Sequence, residues 1–310
     1  MRIAIIDLGT NTINLLIAEI SSEHSYQIIL ETKCPAKLGK GGINNRTILP
    51  DAMERGMQAL KTHLHTIEDY QVDKTVCIAT AAMRNAENAK DFIDRVKETL
   101  GLDIRVINGH DEAQLIFDGV KQVVPIGDQR VLILDIGGGS NEFVIANREG
   151  VLWKHSFDLG VARLLDRFQP SEPITRDEVK AVENYLRPEL SLLFEALRQY
   201  PVDSLIGSSG SFDTIASMIA GVHHPHLDMS KITNYYIPVS YFNELHQKFL
   251  RSTLEERLQM KRLDPHRVDM IVLASIFINF ILRELHINDV WQCAFALKEG
   301  AIHQIIKDEL

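Results

Sequence analysis

Residues 131–146 read VLILDIGGGSNEFVIA. An apolar run from Val131 to Leu134 enters Asp135, an isoleucine and three consecutive glycines, Gly137, Gly138 and Gly139. Ser140, Glu142 and a second apolar run follow. Taken alone, the stretch describes a tight hairpin with solvated acids. A second copy changes that reading. Residues 3–18 read IAIIDLGTNTINLLIA, and alignment places Asp7 on Asp135, Gly9 on Gly137 and Thr12 on Ser140. Ile17 and Ala18 fall on Ile145 and Ala146. Apolar matches alone occur between any two hairpins, but an aspartate, a glycine and a hydroxyl in register indicate an internal duplication. Two related α/β domains are expected, each opening with strand, turn and strand.

The shared residue types share a chemistry. Glycine lets backbone approach a ligand closely, and successive N–H groups in such a turn make a concave anion site to which a hydroxyl adds a donor. Gly9, Thr10, Asn11 and Thr12 in one copy and Gly137, Gly138, Gly139 and Ser140 in the other are therefore candidate phosphate ligands. An aspartate beside such a turn repels phosphate unless a hard cation lies between them. Asp7, Asp135 and Glu142 are accordingly candidate acids for Mg²⁺ or Mn²⁺. Two facing turns would grip an oligophosphate from both sides.

The composition is ordinary for a soluble globular protein, and its acidic balance admits an anionic substrate only through a local cationic groove or a metal. The chain has 310 residues, 45% of them hydrophobic, with a formal net charge of -9, which argues against a nucleic-acid partner. Cys34, Cys77 and Cys293 are widely spaced, form no metal-ligand pattern and suit a reducing cytoplasm. The opening apolar run is broken at Asp7, so no export signal is expected. Met270 to Leu282 is too short for a membrane span, which needs about 20 residues, and contains Asn279; a buried helix is expected there. No H-E-x-x-H spacing, Walker loop or G-x-G-x-x-G is present, and the twelve histidines suggest no metal site.

Along the chain, a third strand is expected over Tyr26–Leu30 and an amphipathic helix over Pro50–Tyr70. Residues 75–80 read as a strand, followed by a helix to about Leu100, a strand at 103–107 and a helix opening in NGHDEAQLIF. Residues 120–128, with Pro125 and Gly127, read as a domain hinge. The expected domains are 1–124 and 125–296. The second repeats the hairpin and adds a strand in VLWKHSF, a long helix from about Thr175 to Arg198 bent at Pro188, and a strand–turn–helix at 203–219. Helices are expected to fill most of the remainder.

The two hairpins resemble the phosphate motifs of the acetate kinase, heat-shock chaperone and actin superfamily, with its ribonuclease H-like fold. More narrowly, the chain resembles the exopolyphosphatase and guanosine pentaphosphate phosphatase family over essentially its whole length. That family's signatures run approximately DIGSNS-x-R and DIGGGSTE, against DLGTNTIN at 7–14 and DIGGGSNE at 135–142. The resemblance implies a duplicated actin-like fold with an interdomain cleft, a C-terminal helix over 297–310 that completes the first domain, and hydrolysis of polyphosphate or guanosine pentaphosphate. It also assigns roles. Glu112 in HDEAQLIF takes the position of the catalytic glutamate of EEARLI, although first-turn acids are common in helices for dipole reasons alone. Arg84 in ATAAMRNAEN matches ATSALRxAxN, and a phosphate would satisfy its planar fork. Ser209 and Gly210 in GSSGS match a third glycine loop, and Arg163 in DLGVARL a further segment that contacts substrate.

Several family positions differ. Asn14 stands where the family has arginine, Cys293-Ala294 where it has Ser-Asp, Lys298 where it has arginine and Ala274 where it has glycine. These changes leave substrate preference open and, at Asn14 and the C-terminal motif, suggest a non-catalytic polyphosphate or alarmone sensor as an alternative; the resemblance to a superfamily with many kinases leaves an ATP-dependent small-molecule kinase as another. Oligomeric state, homodimer included, is also left open.

Overall fold

A computed structural model describes residues 1–21 and 25–307. Its first half contains β1 (Arg2–Leu8), β2 (Thr12–Ile20), β3 (Tyr26–Pro35), α1 (Pro50–Asp69), β4 (Lys74–Ala79), α2 (Ala81–Asn85), α3 (Ala89–Leu100), β5 (Ile104–Val106) and α4 (Gly109–Val120). The second begins with β6 (Val131–Ile136), β7 (Asn141–Asn147), β8 (Gly150–Phe157), α5 (Val161–Phe168), α6 (Arg176–Glu189), α7 (Ser191–Gln199), β9 (Ser204–Ser208) and α8 (Ser209–His223). It ends with β10 (Asn234–Tyr236), α9 (Val239–Arg251), α10 (Leu254–Leu258), α11 (Ile271–Leu285), β11 (Asp289–Cys293) and α12 (Leu297–Ile306).

The duplication is visible in the sheets. One is ordered β3-β2-β1-β4-β5 and the other β8-β7-β6-β9-β11-β10. In each, the first strand pairs antiparallel with its hairpin partner and parallel with the strand on its other side. The registers also match: Asp7 lies opposite Asn14, and Asp135 opposite Glu142.

Strands buried on both faces explain the near-continuous apolar runs. Ala4, Ile6 and Leu8 face Met57, Leu60 and Phe92 of α1 and α3. Their neighbours Ile3 and Ile5 face a central cluster shared with Ile133 and Val144 of the other sheet, filled by α4 and α12. Leu132, Leu134 and Phe143 turn outward to α8 and α11. The layers are therefore helices, sheet, a helix pair, sheet, helices, the duplicated actin-like α/β fold.

At the centre, α12 crosses α4 at two glycines. A Cβ at Gly300 would fall 1.8 Å from the Leu115 carbonyl oxygen, and one at Gly119 would fall 2.0 Å from that of Ala296. Backbone cannot yield to such overlap without separating the helices. Gly300→Ala should lower stability by about 1–3 kcal/mol, read as a reduced urea midpoint; an unchanged midpoint would mean that the crossing is not tight.

Where the architecture departs from expectation, local reasons are evident. The long helix expected over 175–198 is two, α6 and α7, joined at Leu190, because Pro188 lacks the N–H needed to continue the ladder. The helix after β4 is interrupted between Asn85 and Ala89. The third strand runs on to Pro35, and the region expected to be helical contains β10 and β11. Of the helix expected over 297–310, residues 308–310 lie outside the described residues. Met270 to Leu282 forms most of buried α11, and among the described residues no helix is long and apolar enough to cross a membrane.

Candidate active site

The C-terminal ends of β1 and β6, each next to a parallel neighbour, open onto one cleft, the location at which open α/β sheets bind ligands. Its volume is about 400 Å³, and it is lined by both hairpin turns, Thr80, Glu112, the third loop and the start of α12. Both turns close alike: Gly9 N–H donates to the Thr12 carbonyl at 3.1 Å, and Gly137 N–H to the Ser140 carbonyl at 3.0 Å. The turns also touch each other. A Cβ at Gly138 would lie 2.5 Å from Asn11 Nδ2, and one at Gly139 would lie 2.5 Å from Thr10 Oγ1.

The orientation of the second turn is set from behind. N–H groups at the start of α5 have no intrahelical acceptor. Val161 and Ala162 donate to the carbonyls of Gly137 (3.0 Å) and Gly138 (2.9 Å). Arg163 Nε donates to the Gly139 carbonyl at 2.7 Å, and its Nη1 to the Ile43 carbonyl at 3.0 Å. With these carbonyls held on the helix side, no backbone carbonyl among the described residues accepts from Gly138 or Gly139 N–H. Two donors are left beside the cleft, as an anion site requires. Arg163, expected to touch substrate, is absent from the cleft lining and grips the back of the turn.

Glu112 sits in the first turn of α4, buried, at the floor of the cleft. Arg84 Nη1 donates to its Oε2 at 2.7 Å and also reaches the Ile107 carbonyl, while Nη2 reaches Ser140 Oγ at 3.3 Å. The guanidinium expected to meet phosphate is thus directed at Glu112 and the second turn. Burial lifts Glu112 to about 7 against the pull of Arg84, with Asp135 and Asp7 adding repulsion. Burial likewise raises Asp135 to about 6. Glu142 is raised well above the carboxylate range, first by burial and then by the charges of Glu112 and Asp135.

These acids are held in place by neighbours. Asn14 Nδ2 donates to Asp7 at 2.9 Å, Ser208 Oγ to Asp135 at 2.7 Å and Ser156 Oγ to Glu142 at 2.6 Å. Glu142 is 1% exposed and off the cleft lining. Among the described residues, no three Asp, Glu, His or Cys side chains converge to enclose a metal. Asp7, Asp135 and Glu142 therefore do not form a closed three-carboxylate site. Hard oxygen donors under mutual repulsion do fit Mg²⁺ or Mn²⁺ bound through one or two carboxylates, phosphate oxygens and water.

Three cations line the cleft, Lys33, Arg267 and Lys298. Lys298 Nζ is 2.9 Å from Glu31, and its charge also acts on Asp7. Arg267 lies against Gly210, where a Cβ would fall 2.0 Å from Nη2. Ser209, at the head of α8, holds a left-handed φ of 74° that non-glycine residues seldom adopt, and donates to the Ile136 carbonyl at 2.9 Å. Asp213 also lines the cleft and accepts from Gln292 at 2.8 Å. Motif reading missed Lys33, Arg267 and Asp213. Asp213 lies two residues beyond GSSGS and Arg267 opens RVDMIVLAS, but Lys33, three residues past the expected third strand, lies in no matched segment.

Comparison with known proteins gives this arrangement a family context. The model of the Ppx/GppA phosphatase family matches residues 16–309. An exopolyphosphatase from Cytophaga hutchinsonii is 36% identical, with 99% of this chain and 98% of that chain covered and a TM-score of 0.96. A Ppx/GppA family member from Aquifex aeolicus is 27% identical over 100% of this chain and 99% of that one, with a TM-score of 0.81.

Proposed function

The chain belongs to the Ppx/GppA phosphatase family, and from that premise we propose that it hydrolyses a terminal phosphoanhydride, releasing orthophosphate from inorganic polyphosphate or guanosine pentaphosphate. The observation that carries the reading is a buried glutamate, Glu112, oriented by Arg84 at 2.7 Å on the floor of a cleft walled by two phosphate-type turns. The terminal phosphate would rest on the N–H groups of Gly138 and Gly139, with Thr10 to Thr12 opposite. Glu112 would take a proton as water attacks phosphorus. The new P–O bond replaces the bridging one, whose electron pair leaves on the shortened chain. Arg84 would stabilise ionised Glu112 and the charge developing beside Ser140. Ser209, Gly210 and Arg267 would meet the rest of the substrate. Mg²⁺ or Mn²⁺, held by Asp135 and Asp7 with Glu142 behind them, would supply neutralisation of phosphate charge.

Phosphate release from tripolyphosphate, long-chain polyphosphate, guanosine pentaphosphate and ATP, compared with Mg²⁺ present, tests this reading. Release without an acceptor is expected. Dependence on an acceptor would indicate a kinase, and tight binding without release a sensor.

The acids add a prediction with a definite sign. Asp135 and Glu112 rise from ordinary values of 3.8 and 4.5 to about 6 and about 7. Between the ordinary and raised values the folded protein holds more protons than the unfolded chain, so metal-free stability should fall as pH rises through that window. A cation that meets the exposed charge reverses the loss. The gain in Tm on adding Mg²⁺ should therefore be larger at pH 8 than at pH 5. Equal gains, or none at pH 8, would contradict the assignment of Asp135 to a cation.

A further inference from the structure

Two ion pairs join the domains at the edge of the cleft, and both have the same polarity. Lys33, near the end of β3, binds Asp264, and Lys37, just beyond β3, places Nζ 2.8 Å from Asp269 Oδ2. Each lysine comes from the first domain and each aspartate from the segment that leads into α11. Lys33 lines the catalytic cleft. Lys37 and Asp269 line a neighbouring cavity of about 410 Å³. Asn11 borders both cavities, and its Nδ2 lies 3.1 Å from the sulfur of Met270. Residues 267–270 thus run from one cavity to the other, with Arg267 lining the cleft and Asp269 and Met270 lining its neighbour.

Neither aspartate is idle. Asp264 also lies 3.9 Å from Arg267. Asp269 Oδ1 is buried and has no hydrogen-bond donor among the described residues. Its charge is met by Lys37 alone among the ion pairs of the described residues. A polyanion leaving the cleft on this side draws Lys33 and Lys37 toward its phosphates. Drawing Lys37 away leaves Asp269 facing phosphate with no ion-pair partner among the described residues, and drawing Lys33 away leaves Asp264 with only Arg267 at 3.9 Å; like charges brought together with so little cationic cover are costly. A short substrate that ends inside the cleft avoids that exchange.

We propose that Asp264 and Asp269 are specificity-determining residues that set chain length, opposing passage of long polyphosphate beyond the catalytic cleft. This rests on the phosphoanhydride hydrolase reading above. The wild-type chain should show kcat/KM for long-chain polyphosphate no greater than for tripolyphosphate, and intermediate lengths should accumulate during digestion.

The test uses the full chain with Asp264→Asn, Asp269→Asn and both together. The ratio of kcat/KM for long-chain polyphosphate to that for tripolyphosphate should rise about tenfold or more in the double variant, with smaller rises in each single one. Lys37→Met breaks the same pair as Asp269→Asn but leaves the aspartate bare, so it should move the ratio down. An unchanged ratio in the double variant overturns the proposal. A rise with Lys37→Met as well would mean that breaking the pair, not the aspartate's charge, matters, and would also overturn it. Calorimetric affinities for the same two probes separate this from the hydrolase reading. If no variant turns over substrate but neutralising the aspartates selectively tightens long-chain binding, hydrolysis is wrong and the chain-length assignment stands.

Discussion

Replacing Glu112 with glutamine should lower kcat by about 10²-fold or more while leaving substrate affinity nearly unchanged. The amide keeps the shape and can still face Arg84, which lies 2.7 Å from the carboxylate, but it cannot take a proton from water. Because burial lifts Glu112 to about 7, a base in this position is mostly protonated below that value and mostly ionised above it. Wild-type kcat/KM, which reports on the free enzyme, should therefore climb with pH and level off above about 7. The residual activity of Glu112→Gln should lack that rise. A glutamine variant with near-normal kcat would remove Glu112 from the reaction.

Asp135→Asn should be comparably severe for a different reason. Removing a carboxylate from the proposed cation site sacrifices charge stabilisation worth several kcal/mol, at least about 10²-fold in rate. Asparagine retains the shape and can still accept from Ser208, the partner at 2.7 Å, so folding should survive. Burial raises Asp135 to about 6, so the native charge is destabilising at neutral pH without a cation. The variant should consequently show a higher metal-free Tm and a smaller response to Mg²⁺. Lower activity together with a lower Tm would point to simple structural damage instead.

The two turns were legible because their constraints are local. An aspartate at a strand end, a glycine two residues later and a hydroxyl completing the hairpin repeat in register, and the strand pairing places Asp7 opposite Asn14 just as it places Asp135 opposite Glu142. Glu112 and Arg84 were legible only through resemblance, since a first-turn acid and a lone arginine have commoner explanations; the fold brings them together across 28 positions of sequence. Arg163 was noticed for its segment but not for its direction. Whether an arginine points at a ligand or at the carbonyl behind a turn depends on how α5 meets that turn, and spacing does not encode that contact. Arg267 reaches the cleft because residues 264–270 bridge the domains, a tertiary arrangement with no periodic signature. β10 and β11, of three and five residues, are likewise strands through pairing, β11 with β9 and β10 with β11, not through any alternation of their own.

Hydrolysis in ¹⁸O-labelled water tests the central claim most directly, with tripolyphosphate as substrate, Mg²⁺ present and the products resolved by mass. If Glu112 activates water against the terminal phosphorus, each orthophosphate released carries one labelled oxygen and the pyrophosphate left behind carries none. Label in the pyrophosphate, or orthophosphate released without label, would contradict attack at the terminal phosphate and with it the role of the cleft.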